Sequence, residues 1–118
     1  MDVLLVEDER LILMMLTRLI TDLGHRVVAG LTSAEAAIEY LERGSADFVL
    51  LDIKLEGVKD GVDVGRAIRD KWNIPFAFAT AFADRATRDR AEATKPLRIL
   101  AKPIRREDLK DLLESLPA

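Results

Sequence analysis

Four short apolar runs each end on a polar side chain: Glu7 and Asp8 after "VLLV", Asp52 after "FVLL", Thr80 closing "FAFAT", and Lys102 after "RILA". Three carboxylates brought within a few ångströms repel, and without a counter-ion at least one of them holds its proton. A divalent cation removes that repulsion. Oxygen-only ligands with no His or Cys nearby suit Mg²⁺, which keeps several waters and often shares its shell with phosphate. Thr80 then supplies a hydroxyl donor and Lys102 a fixed positive charge, both suited to phosphoryl oxygens. Singly, each residue has a plainer reading: Asp8 or Glu9 as a helix cap, Thr80 as a good strand residue, Lys102 as a solvated lysine before proline. Their conjunction at separate strand ends favours a shared site.

That site requires strands running the same way, and the chain's patterning supplies them. "VLLV", "RVVAG", "FVLLD", "PFAFAT" and "RILAK" alternate with helical patterns from end to end. Five strands alternating with five helices imply an α/β fold, a parallel sheet with helices on both faces. The strands lack alternation, as expected when both faces are covered, and their C-terminal ends share the edge where such proteins bind ligands. Leu11, Ile12, Met15, Leu16, Leu19, Ile20 and Leu23 form one helical stripe closed by Gly24. Thr32 with Glu35 resembles a capping box opening the second helix, which Gly44 closes. Pro75 begins the fourth strand, and Asp108 to Leu116 form a final amphipathic helix before Pro117.

Two stretches fit less tidily. "ADRATRDRAEATKP" offers a fourth helix almost nothing but alanine to bury. Met14 falls with Arg10, Thr17, Arg18 and Thr21 on a wheel of about 100° per residue, away from the core stripe, either as a scattered exposed methionine or as part of a docking surface.

The composition bounds the rest. A chain of 118 residues, 33% charged and 49% hydrophobic with net charge -3, reads as one domain, 1–118, with no basic excess to draw nucleic acid. The absence of cysteine excludes a disulfide framework and a thiolate metal site. The longest apolar stretch, "LILMML", is far short of the ~20 residues of a membrane helix, and the expected location is cytoplasmic. The lone His25, after Gly24 in a helix-to-strand connection, is expected at the surface and is no credible phosphodonor.

Over essentially its whole length the chain resembles a response-regulator receiver domain of two-component signalling, on "VED", "LLD", "FAT" and "AKP". The resemblance implies a flavodoxin-like doubly wound sheet of five strands in the order 2-1-3-4-5. It implies Asp52 as phosphoacceptor from a sensor histidine kinase or phosphotransfer protein. Mg²⁺ would be held by Asp8 and Asp52 directly, Glu7 through water and the backbone carbonyl of Lys54. Lys102 would pair with the acyl phosphate and Thr80 would act as the switch hydroxyl. Such a protein assists its own phosphorylation and dephosphorylation without being an enzyme in the usual sense. With no output domain expected, it signals through contact with a downstream protein, not through nucleic acid or a membrane.

Some positions depart from the family pattern. Ile99 stands where many receivers carry an aromatic switch residue. "PFAFATAF" is partly similar to the Phe-Ala-Thr-Gly motif of a subgroup of stand-alone receivers, with Ala81 for the glycine and Phe82 as the nearby aromatic; in that subgroup the weak fourth helix is the mobile element. The loop "KLEGVKDG" lacks a common proline and is about one residue longer than usual, and its Lys54 can place a second cation beside the phosphoryl group. Two rival readings are a non-phosphorylated receiver-like interaction module and a phosphohydrolase of the haloacid dehalogenase type. The latter needs a second aspartate two residues after the nucleophile, where this chain has Lys54.

Overall fold

Each expected strand forms, and each is followed by its helix. In the computed structural model, which describes residues 1–81 and 84–116, the elements are β1 (Asp2–Val6), α1 (Arg10–Asp22), β2 (Arg26–Leu31), α2 (Ala34–Arg43) and β3 (Phe48–Leu51). There follow α3 (Gly61–Ala67), continued by a wider helical turn Ile68–Trp72, then β4 (Phe76–Thr80), α4 (Arg85–Ala93), β5 (Ile99–Ala101) and α5 (Arg106–Glu114). The sheet is parallel throughout, in the order β2-β1-β3-β4-β5. This is the flavodoxin-like order that the resemblance implies, on the parallel sheet expected from the alternation.

Because successive strand residues point to opposite faces, the apolar runs feed two cores. Leu4, Val6, Val49, Leu51, Phe76 and Phe78 pack with residues of α2, α3 and α4, among them Ala37, Leu41 and Val64. Val3, Leu5, Phe48, Leu50, Ala77 and Ala79 pack under α1 and α5, against Leu16, Ile20, Leu109 and Leu112. The inner strands β1, β3 and β4 are buried almost throughout, whereas the edge strands β2 and β5 are half-exposed because each has a neighbour on one side only.

Local punctuation follows the sequence with a few shifts. Gly24 closes α1 at φ 94°, a left-handed conformation that glycine adopts without a Cβ clash. The α2 cap is Ser33, whose Oγ accepts from the Ala36 amide at 3.1 Å, in place of the expected Thr32–Glu35 box. The offset is one residue, toward the serine, which is the stronger N-cap of the two adjacent hydroxyl residues. The final helix begins two residues before the expected Asp108, and Pro117 lies outside the described residues.

The α1 stripe needs a larger correction. Leu16 and Ile20 are buried, but Leu11 and Met15, expected in the core stripe, are exposed together with Met14. At about 100° per residue, Leu11 and Met15 stand on the flank of the stripe, while Ile12, Leu16 and Ile20 at its centre face the core. His25 is half-buried rather than at the surface, its Nδ1 3.1 Å from the Met1 amino group at the opposite rim of the sheet.

Candidate functional site

The sheet ladder places the site residues one by one. The Glu7 amide donates to the Leu31 carbonyl at 2.8 Å, the Asp52 amide to Val6 at 2.9 Å and the Lys102 amide to Thr80 at 2.9 Å. Each of these side chains is therefore borne on the first residue beyond a strand and is held there by a bond to the neighbouring strand's last residue. Thr80 itself closes β4 and is buried.

The side chains converge as expected. Carboxylate oxygens of Glu7, Asp8 and Asp52 all lie within 4.8 Å of one another. Lys102 Nζ donates to Glu7 Oε1 at 2.5 Å and to Asp52 Oδ2 at 2.7 Å, so one ammonium bridges two carboxylates. Glu7 Oε2 accepts the Glu9 amide at 3.1 Å, while the Lys54 amide lies 3.4 Å from Asp52 Oδ1. The Lys54 side chain is exposed. Glu7 and Asp52 are 2% and 6% exposed, which sets the electrostatics.

Burial pushes the Glu7 carboxyl above the usual carboxylate range, against the opposing pull of the Lys102 hydrogen bond. For Lys102 burial works downward, but hydrogen bonds to Asp52 and Glu7 outweigh it and hold the ammonium above its ordinary value. With all three carboxylates ionised, a single bridging ammonium leaves two negative charges uncompensated. A hard divalent cation matches that excess and this all-oxygen donor set.

The Asp52 position is fixed from a second side. Gly61 donates its amide to the Ile53 carbonyl at 2.6 Å, and its Cα is so close to the strand end that a Cβ there would lie 1.9 Å from the Asp52 carbonyl oxygen. Asp60, just before it, caps α3 in a reciprocal box: its Oδ1 accepts from the Asp63 amide at 3.1 Å, and Asp63 Oδ2 accepts from the Asp60 amide at 2.9 Å. Sequence reasoning passed over both residues, although Asp-x-x-Asp beside a glycine carries the signal of a capping box.

Over residues 3–114 the sequence matches the response regulator receiver domain family. The chain belongs to that family. Among relatives of this receiver domain, the positive alginate biosynthesis regulatory protein of Pseudomonas aeruginosa is 34% identical over 117 residues, 97% of this chain and 46% of the relative. The transcriptional regulatory protein YvrH of Bacillus subtilis is 32% identical over 79 residues, 67% of this chain and 33% of the relative. The receiver thus spans less than half the length of these curated relatives.

Among solved structures, the signal receiver domain of a modulated diguanylate cyclase from Desulfovibrio desulfuricans matches with a TM-score of 0.91 at 33% identity, covering 96% of this chain and 90% of that one. The receiver domain of sensor histidine kinase PA1611 from Pseudomonas aeruginosa matches with a TM-score of 0.85 at 29% identity, covering 96% and 93%; that structure holds a magnesium ion coordinated in its active site cleft. Receiver domains are signalling domains of two-component systems, and membership leaves the phosphohydrolase alternative without support. Ile99, at the position where the resemblance leads one to expect an aromatic, is half-buried and sits in register beside Phe78, while Phe82 lies outside the described residues.

Proposed function

We propose that this receiver takes a phosphoryl group from a histidine kinase or phosphotransfer protein onto Asp52 and passes the signal on by protein contact. The observation that carries this reading is the meeting of Glu7, Asp8 and Asp52 at the sheet's rim with Lys102 bridging two of them. In the reaction an Asp52 carboxylate oxygen bonds to phosphorus as the phosphorus–nitrogen bond of the donor's phosphohistidine breaks. The electron pair of that bond goes to the imidazole nitrogen, which takes a proton from solvent water. The work is mainly positioning and charge stabilisation.

Asp8 and Asp52, with Glu7 behind them and the Lys54 carbonyl beside them, are the groups that would hold Mg²⁺, which when bound supplies neutralisation of phosphoryl charge. Lys102 stays with the acyl phosphate through its ammonium, and Thr80 offers its hydroxyl to a phosphoryl oxygen. The added charge of roughly -1.5 to -2 biases the loop after β4 and α4. The exposed Lys54 ammonium sets how fast water removes the phosphate.

Leu11, Met14 and Met15, exposed at the N-terminal half of α1 beside this rim, support a docking face for the kinase's helices. We read residues 1–118 as one receiver unit acting in the cytoplasm, and among the described residues no helix is long and apolar enough to cross a membrane. Incubation with a small acyl phosphate donor and Mg²⁺, followed by peptide mass spectrometry, tests the reading. One phosphoryl group on the peptide containing Asp52, absent from Asp52→Asn, is the expected result. Equal labelling of the variant would refute it.

A further inference from the structure

Helix α4 has little to hold it. Among its described residues Ala91 alone is buried, and Arg88 is engaged within the helix by Glu92 at 3.4 Å. Arg90 reaches outward instead: its Nη1 lies 3.2 Å from Asp60 Oδ2. Asp60 therefore uses one carboxylate oxygen to cap α3 and the other to grip α4. Its neighbour Gly61 is pressed against the Asp52 backbone and bonded to Ile53. A contiguous chain of contacts runs from α4 through Arg90, Asp60 and Gly61 to the carbonyl of the residue that bears the acceptor carboxylate.

We propose that Arg90 is a positioning residue for the acceptor loop: paired with Asp60, it latches α4 to the segment that fixes Asp52, so that loosening either end loosens the other. Its consequence for phosphoryl chemistry rests on the phosphoacceptor reading above; the latch itself does not. The pair is partly exposed, so its effect is modest, on the order of a two- to fivefold change in local opening.

Amide hydrogen exchange on the whole unphosphorylated chain, without metal, tests the latch. Asp60→Asn keeps a good N-cap while removing the charge, and Arg90→Gln removes the pair from the other side. Each should speed exchange in both residues 53–61 and residues 85–93 by about two- to fivefold. The double variant should be no faster than either single, and Arg90→Lys should restore much of the protection. Wild-type exchange across residues 53–61 in Arg90→Gln, or additive effects in the double variant, would overturn the latch.

A second arm titrates beryllofluoride with Mg²⁺. Arg90→Gln should bind it about two- to fivefold more weakly than wild type. Equal binding by the two proteins overturns the positioning role. A wild-type protein that binds none overturns the phosphoacceptor reading instead.

Discussion

Lys102 touches two carboxylates at once, and removing it leaves Glu7 and Asp52 buried side by side without a cation. Lys102→Ala should therefore lower unfolding stability in divalent-free buffer by about 3–5 kcal/mol, read from urea transitions, with Mg²⁺ recovering part of the loss. Stability unchanged within error would contradict the bridge. Glu7 behaves in the opposite sense. Its folded pKa lies above 4.5, so the native state holds the proton more tightly than the unfolded chain, and the burial penalty is fully present above the folded value. As pH falls through the raised pKa toward 4.5, wild type gains stability relative to Glu7→Gln. Metal-free urea midpoints at a series of pH values should show the variant's relative advantage shrinking on acidification; growth of that advantage would contradict the assignment. The gathering of Glu7, Asp8, Asp52 and Lys102 was legible because a parallel sheet sends every strand tip to one rim. The double engagement of Lys102 was not, since which side chains pair across strands depends on distances no spacing encodes.

At the level of elements, the β3–α3 connection is set by a backbone contact. Gly61→Ala would drive a methyl into the Asp52 carbonyl, and neither partner is a flexible side-chain end that can yield. Overpacking of this kind costs about 1–3 kcal/mol or more, and because the obstacle is the backbone of Asp52, one of the proposed Mg²⁺ ligands, Mg²⁺ affinity should fall as well. Thermal unfolding with and without Mg²⁺ checks both; a variant matching wild type in each would show that the loop has room to move. The sequence displayed the glycine but not its neighbour, because close approach across nine residues is a property of the folded loop. The exposed Leu11 and Met15 escaped for a related reason: helical periodicity marks a face, but how wide a stripe of that face the core covers is a property of the packed structure. The alanine-rich α4 was read correctly as a weakly packed helix, while its tether Arg90–Asp60 joins residues too distant in sequence to suggest a pair.

For the molecule as a whole, the two cores on either side of one sheet make the rim a rigid frame, and the five-fold alternation made that architecture readable from the chain. The ends of the buried inner strands bring Glu7, Asp8 and Asp52 within 4.8 Å of one another, an arrangement that suits the divalent cation and phosphoryl group of the proposed function. A receiver-like module that only binds partners has no need of this chemistry, and the two readings part at one measurement. Fluorine NMR of the protein with beryllofluoride should show a bound signal that requires Mg²⁺ and disappears in Asp52→Asn. No bound signal from the wild-type protein at saturating Mg²⁺, or one that persists in Asp52→Asn, would contradict the account.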